Sequence, residues 1–551
     1  MILEYKSQLE NFLHWSKATP NSIYLKQPIG DTFIDFSFIE SEDQVKKIAH
    51  FLQSKLKDGP KHVGILSKNC AHWILADLSI MMAGAVSVPF YPTLSGEQLQ
   101  EVLLHSDCQI LFVGKLDNWQ EIKNFIPKNI TIISTDEILE NDIYHWKDLI
   151  IREEKLEILP KYNQEDIITI VYTSGTTGTP KGVMIPFKSI PLAINAAKEV
   201  AFLSLPNSRF ISYLPLCHIA ERNFVEFAAT AAGGTIYFVE NLNTFRNNLL
   251  AARPTHFLAV PRIWAKFKEG IIQKIGSEKR LSQLLNVPIL NTILKKFIKK
   301  SLGLDQTKLL ITGAAPMPSE LLIWYQKLGM EIQEAYGMTE NLGINSLMPK
   351  KQIKLGTVGK AWSLCEIRIN EGDQEIQMYG EHISKGYYKE PQLTADLFNG
   401  KWLKTGDVGH IDEDGYLSII GRVKDIFKTS KGNYVAPAPI ENHYSQHPWI
   451  EQICVVGINL PQPIALLILN TQGKENSPNE IISELDELRK NINIHFKKYE
   501  YVSKIIILSD DWNIENNCLT PTLKIRRPNI EKRYQNQLEN WFNQNESIIF
   551  N

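Results

Sequence analysis

Tyr172-Thr173-Ser174-Gly175-Thr176-Thr177-Gly178-Thr179-Pro180-Lys181-Gly182-Val183-Met184 is the stretch on which the reading of this chain turns. It follows Ile167-Ile168-Thr169-Ile170-Val171, an apolar, β-branched run that predicts a buried strand. Gly175, Gly178 and Gly182 permit tight turns and let backbone amides approach a ligand. Thr173, Ser174, Thr176, Thr177 and Thr179 set a row of hydroxyls beside them, and Lys181 adds a mobile positive charge. Donors at that density suit an oligophosphate, whose oxygens need several partners at once. The spacing is not that of the common nucleotide-triphosphatase loop: the lysine falls at another offset, and Gly182 stands where a metal-coordinating Ser or Thr belongs. A flexible Ser/Thr/Gly linker is the plain alternative, but it does not account for the position after a strand with Pro180 and Lys181 inside the run.

Outward from the loop, strand-like and helical pieces alternate. His62-Val63-Gly64-Ile65-Leu66 predicts a short buried strand, Ala71 to Met82 a helix, and Ala85 to Pro89 a further strand. Gln109 to Val113 and Asn129 to Ile133 continue the series before the loop, and Ser189 to Leu203, Thr235 to Val239, Thr255 to Val260 and Thr307 to Thr312 continue it after. This rhythm predicts an α/β domain with a largely parallel sheet. Arg262 to Leu304 carries Lys295-Lys296 and Lys299-Lys300 among Leu and Ile at helical spacing. It reads as a helical surface excursion, with a basic face for a membrane or an anionic partner as the second reading. Beyond Gly421-Arg422 the pattern changes to a compact unit with strands at Gln452 to Ile458, Ile464 to Leu469 and Val502 to Leu508 and a helix at Asn479 to His495.

The 551 residues exceed one ordinary domain, and a large domain with a smaller one is the expectation. With 44% hydrophobic and 22% charged residues, core formation is assured. Lys and Arg number 59 against 61 acidic residues, a balance that argues against a nucleic-acid binder. The six cysteines are scattered without a C-x-x-C pair, which argues against a metal cluster or disulfide scaffold. The N-terminus lacks a secretory core, and the apolar run Leu75 to Tyr91 is interrupted by Asp77, so a cytoplasmic protein is expected, with peripheral contact at the inner face of the membrane left open. Nothing in the sequence sets the oligomeric state.

Five further blocks follow the loop in order: Tyr213-Leu214-Pro215-Leu216-Cys217-His218, Gly313-Ala314-Ala315-Pro316, Tyr336-Gly337-Met338-Thr339-Glu340, Thr405-Gly406-Asp407, and Gly421-Arg422-Val423-Lys424-Asp425 with Tyr434-Val435-Ala436-Pro437 and Ile440-Glu441. With these blocks the whole chain resembles the adenylate-forming superfamily, and most closely its long-chain fatty acyl-CoA synthetases. The resemblance implies a multi-subdomain N-terminal adenylation domain over residues 1–423 and a small, mobile α+β lid over 424–551. It implies ATP, Mg2+ and CoA as co-substrate, and a fatty acid as the acid activated.

Roles follow from the same resemblance. Thr173, Ser174, Gly175, Thr176, Thr177, Gly178 and Lys181 would grip the triphosphate. Gly313, Ala314, Ala315 and Pro316 would lie against adenine, with Tyr336 packing on the base and Gly337 beside it. Thr339 would donate to the α-phosphate and Glu340 would hold magnesium. Asp407 would accept the ribose hydroxyls, Arg422 would reach ribose or phosphate, and Lys424 would be the hinge. Lys524, in Leu519-Thr520-Pro521-Thr522-Leu523-Lys524, would bridge the carboxylate and the phosphate. His218 would help gate an acyl tunnel walled by residues among Phe224, Val225, Phe227, Ala228 and Ala229, for which an ordinary buried helix face is an equal reading. Leu523 and Lys431 replace glycines found in many relatives. Arg526 and Arg527 read alternatively as a solvated basic face. The competing functions are loading of an acyl carrier protein and a nucleotide-binding scaffold without catalysis.

Overall fold

A computed structural model describes residues 6–135, 138, 140, 142–173, 180–200, 203–513, 515–520 and 525–551. The chain divides into two compact units. The first comprises residues 1–354, 359–366 and 378–403, and the second comprises 355–358, 367–377 and 404–551.

In the first unit, short aliphatic strands buried on both faces force a parallel arrangement, because helices must cover both sides. His62–Leu66 is buried at all five positions and sits near the middle of a seven-stranded sheet. The order is Tyr144–His145, Thr131–Ser134, Cys108–Val113, His62–Leu66, Val86–Phe90, Ile167–Thr173, Lys181–Pro186. The first six run parallel and the last is antiparallel. The helix Ala71–Met82 is buried at every position but His72. A second helix, Phe38–Lys55, starts at a capping box in which Ser37 and Glu40 satisfy each other's backbone amides.

Two smaller sheets complete this unit. One orders Arg209–Ser212, Thr235–Phe238, Ile23–Ile29 and Thr32–Ser37. The other orders His256–Ala259, Leu309–Thr312, Ile332–Tyr336, Ser346–Leu347 and Lys360–Ala361, its first three strands parallel. The predicted excursion is three helices, Pro261–Ile275, Glu278–Leu285 and Pro288–Ser301.

The second unit pairs Trp402–Ile411 antiparallel with Leu417–Arg422. It also holds a four-stranded sheet ordered Ile450–Val456, Ile464–Leu469, Lys504–Ile507, Ile548–Phe550. Alternation along Ile453-Cys454-Val455-Val456 sends successive side chains to opposite faces. Ile453 and Val455 meet the helices Pro437–Tyr444 and Pro478–Asn493, while Cys454 and Val456 meet Arg527–Asn543. The α/β expectation, with a large N-terminal portion and a smaller C-terminal one, is borne out. Among the described residues no helix is long and apolar enough to cross a membrane.

Candidate active site

The strands Ile167–Thr173 and Lys181–Pro186 form an antiparallel pair in which Tyr172 faces Gly182 and Thr173 faces Lys181. Ser174, Gly175, Thr176, Thr177 and Gly178 of the predicted grip lie between them and outside the described residues. A third segment is strapped to this hairpin. The Met184 amide donates to Gly386 O at 2.9 Å, and the Lys385 and Tyr388 amides donate to Met184 O and Gly182 O at 2.9 and 2.8 Å. The strap delivers Tyr387 to the head of the hairpin.

Tyr387 joins two residues predicted from separate blocks. Its hydroxyl donates to Glu340 Oε1 at 2.7 Å, and Lys181 Nζ lies 5.3 Å from its ring centroid, within cation–π reach. Burial, then the Glu340 charge, raise the Tyr387 phenol, so it holds its proton as a donor. Glu340 is itself fixed by its backbone, because the Ser384 amide donates to Glu340 O at 2.8 Å. It occupies a short 3-10 turn, Thr339–Asn341, whose three residues are buried. The Asn341 side chain accepts from the Met338 amide at 2.8 Å and so braces the turn from below.

The two other nucleotide blocks occupy adjacent parallel strand ends. Gly313 follows the strand Leu309–Thr312, and Tyr336 ends the strand Ile332–Tyr336 beside it. Ala314 adopts a left-handed φ of 66°, and Ala314, Ala315 and Pro316 are exposed, leaving a platform of low bulk open to a flat ligand. Gly313 cannot be replaced without loss, since a Cβ there would meet Ala335 O at 2.9 Å. Gly337 is tighter still: its Cβ would sit 2.2 Å from the carbonyl carbon of Gly343. Tyr336 is half-buried. Beneath the platform, Glu334 is buried and its acid is pushed up to about 8 by desolvation, against a hydrogen bond from the Met317 backbone.

His218 caps the short helix Ile219–Glu221, its Nδ1 accepting from the Ala220 amide at 3.2 Å. That bond leaves Nε2 as the protonated nitrogen of the neutral ring. Asn69, which no motif marks, clamps the preceding segment by donating to Leu214 O at 2.6 Å and accepting from the Leu216 amide at 3.1 Å. The helix continues as a π-helical stretch, Arg222–Phe227, and then Ala228–Ala232. Val225, Phe227, Ala228 and Ala229 are packed in the main core, which is the ordinary buried-face reading of those positions, while Phe224 is half-buried near Phe210.

Arg222 is the centre of a buried charge cluster in this unit. Fully buried, it donates from Nη2 to Asp77 Oδ2 at 2.6 Å, from Nε to Glu226 Oε2 at 2.9 Å and from Nη1 to Thr169 Oγ1 at 2.7 Å. Asp77 and Glu226 are also without exposure, and the Ser87 hydroxyl donates to Asp77. Burial and the nearby Asp77 push the Glu226 carboxyl well above the ordinary range, against the pull of the Arg222 guanidinium. The cluster ties three elements together: the helix Ala71–Met82, the strand that leads to the predicted grip, and the helix that follows His218.

In the second unit, Asp407 and Arg422 face each other across a strand pair, Arg422 Nε donating to Asp407 Oδ1 at 2.8 Å. The Asp407 side chain is 9% exposed and that of Arg422 51%, so the carboxylate is held and the guanidinium has room to leave. Within the strand Trp402–Ile411 the backbone before Asp407 is fixed by Gly406, with φ +71° and its amide donating to Glu375 Oε1 at 2.8 Å. Lys424 is exposed in the turn after Arg422, where the Asp425 and Ile426 amides both donate to Arg422 O. Lys524 lies outside the described residues; Leu519 and Ile525 on either side of it form an antiparallel bridge. Arg527 is not part of a solvated basic face. It is buried and donates to Glu441 Oε2 at 2.8 Å and to Val455 O, tying the helix Pro437–Tyr444 to the strand Ile450–Val456.

The family of AMP-binding enzymes is matched over residues 12–388, and the C-terminal domain of AMP-binding enzymes over residues 424–546. The chain belongs to the AMP-binding enzyme family. A long-chain-fatty-acid–CoA ligase of Mycobacterium bovis is 27% identical over 573 residues, covering 95% of each chain. Long chain acyl-CoA synthetase 1 of Arabidopsis thaliana is 27% identical over 582 residues, covering 92% of this chain and 87% of its own. Among solved structures, the adenylation domain of a carboxylate reductase from Mycobacterium chelonae aligns with TM-score 0.82 at 19% identity, covering 98% of this chain and 92% of its own. O-succinylbenzoate coenzyme A synthetase of Bacillus subtilis, in complex with AMP, aligns with TM-score 0.74 at 21% identity, covering 95% and 98%. This AMP-binding enzyme therefore has the adenylate-forming fold.

Glu340 suits a hard cation. Its carboxylate offers oxygen, and magnesium takes one or two such protein ligands while phosphate and water oxygens supply the rest. Among the described residues no group of three or more His, Cys, Asp or Glu gathers into an all-protein metal cage.

Proposed function

We propose that this AMP-binding enzyme joins a long-chain fatty acid to CoA at the expense of ATP. The observation that carries the proposal is the meeting of Lys181 and Glu340 at Tyr387, at the head of the hairpin that flanks residues 174–179. Similarity to long-chain acyl-CoA ligases over nearly the whole chain supports the choice of acid and acceptor.

In the first half-reaction a carboxylate oxygen of the fatty acid attacks the α-phosphorus, a P–O bond forms, and pyrophosphate leaves with the broken bond's electrons. Both reactants are anions, so the site must place positive charge and donors before they meet. Lys181 and the hydroxyls and amides of 173–178 hold the phosphates, and Thr339 donates to the α-phosphate. Glu340 would hold magnesium, which would supply neutralisation of phosphate charge. Tyr336, Gly337 and the Gly313–Pro316 platform receive adenine, and Asp407 receives the ribose hydroxyls after Arg422 swings to the nucleotide. Lys524 bridges the two anions as bonds change. In the second half-reaction the CoA sulfur attacks the acyl carbon and AMP leaves. Turning of the lid, residues 424–551, about Lys424 would exchange Lys524 for the segment around Gly432, and His218 would guard the acyl entrance.

ATP–pyrophosphate exchange across fatty, aromatic and amino acids tests the first half. Exchange supported by long-chain fatty acids, and lost in Lys524→Ala, is expected. Exchange with amino or aromatic acids alone would remove the substrate assignment. Offering CoA or an acyl carrier protein to the preformed acyl-adenylate tests the second half, and acylation of the carrier alone would replace CoA as acceptor.

A further inference from the structure

The excursion over residues 261–301 gathers charge of one sign. Ten of its residues are Lys or Arg against only Glu269 and Glu278, in a chain whose net charge is −2. Its last helix, Pro288–Ser301, is amphipathic in an unusual sense, with apolar residues on two faces. Ile298 turns inward and is buried in the second core of the unit, with Leu294 packed against that core. Ile289, Ile293 and Phe297 recur every fourth residue on the other side, at 78%, 59% and 66% exposure. Val287, just before the helix, is 50% exposed. Lys296 and Lys300 are exposed and fall along the flank of that outward stripe, since i and i+4 positions share a face. Lys299 lies elsewhere, donating to Gly329 O at 2.6 Å.

Fold stability does not explain the outward stripe, because the helix already buries Ile298 and Leu294. A soluble surface would carry polar side chains at 289, 293 and 297. An exposed aromatic and two isoleucines bordered by lysines match a surface that is apolar at depth and anionic at its edge. The lysine stems can lie along the apolar layer while their ammonium groups reach phosphates.

We propose that the helix Pro288–Ser301 is a docking face for an anionic lipid bilayer, with Ile289, Ile293 and Phe297 entering the acyl layer and Lys296 and Lys300 meeting the headgroup phosphates. The helix lies in the plane of the interface and does not cross it. This surface is separate from the nucleotide site in the evidence that supports it, and it stands or falls apart from the assigned substrate.

The test is co-sedimentation of the full chain with vesicles of phosphatidylcholine alone and of phosphatidylcholine mixed with phosphatidylglycerol. Binding to the mixed vesicles, weakened by added salt, is expected. Ile293→Glu with Phe297→Glu should weaken it at least about tenfold, and Lys296→Gln with Lys300→Gln by a comparable factor, since each lysine near an anionic surface contributes roughly a fivefold gain. ATP–pyrophosphate exchange with a soluble acid, unchanged in both variants, shows that they fold. No binding to mixed vesicles, equal binding to both vesicle types, or variants that bind like the parent would overturn the proposal. A dimer in solution that the Glu variants dissociate, without vesicle binding in the parent, would assign the face to a second copy and overturn it as well.

Discussion

Tyr387 occupies a position where the loss of one oxygen atom should reach the chemistry through Glu340. Its hydroxyl donates to Glu340 Oε1 at 2.7 Å. A hydrogen bond to a charged acceptor contributes roughly 1.5–3 kcal/mol. Tyr387→Phe should therefore lower kcat/KM in pyrophosphate exchange by about ten- to hundredfold and raise the magnesium concentration needed for half-maximal rate, with a lower melting temperature because Glu340 is buried. An unaltered magnesium dependence would mean that the bond does not orient Glu340. Gly337 poses the opposite case, since its intolerance lies in the backbone. A Cβ at 2.2 Å from a carbonyl carbon cannot be relieved by a rotamer. Gly337→Ala should cost about 1–3 kcal/mol of stability, seen as a lower melting temperature before any assay of activity. Gly337 was legible in the sequence as part of a block, whereas Tyr387 was not. Lys385-Gly386-Tyr387-Tyr388-Lys389 has no pattern of its own, and its role arises only when residues 384–388 are laid against the distant hairpin.

At the scale of elements, the informative groups are the buried acids that hold one segment to another. Arg222 with Asp77 and Glu226 is a fully desolvated set, so removing the cation leaves buried carboxyls without a partner. Arg222→Met should destabilise by about 3–5 kcal/mol in denaturant unfolding, and adding Asp77→Asn and Glu226→Gln should recover much of that. Equal losses in the single and triple variants would show that the cluster is not coupled. Glu221 and Glu334 make a pH prediction. Both acids are raised by burial to about 8 in the native state, against about 4.3 for an ordinary Glu. Between those values the native chain holds protons that the unfolded chain releases, so stability falls as pH rises through that range and levels off above about 8. Glu221→Gln with Glu334→Gln should flatten that decline in a series of melting curves. Aliphatic strands and amphipathic helices could be read from spacing alone, and His62–Leu66, Ala71–Met82 and Ile464–Leu469 fall at the expected residues. Buried charge could not, because Asp77 in an apolar helix looks like an interruption until a cation from another element is placed against it.

At the scale of the whole molecule, the question is whether two half-reactions share one site in turn. Asp407 and Arg422 are tied to each other within the second unit, and the exposed Lys424 follows them in a turn. If the lid turns about Lys424, restricting the torsions there should spare the half-reaction that needs the starting arrangement and suppress the one that needs rotation. Proline fixes φ near −65° and pushes the preceding residue, Val423, out of the helical region. Lys424→Pro should thus retain ATP–pyrophosphate exchange while slowing acyl-CoA formation from preformed acyl-adenylate at least about tenfold, the scale expected when a conformational step becomes limiting. Lys524→Ala should give the reverse pair of results, exchange lost and thioester formation kept. The two variants together form the test, because a general loss of stability would lower both rates in each of them, whereas a turning lid lowers one rate in each and not the same one.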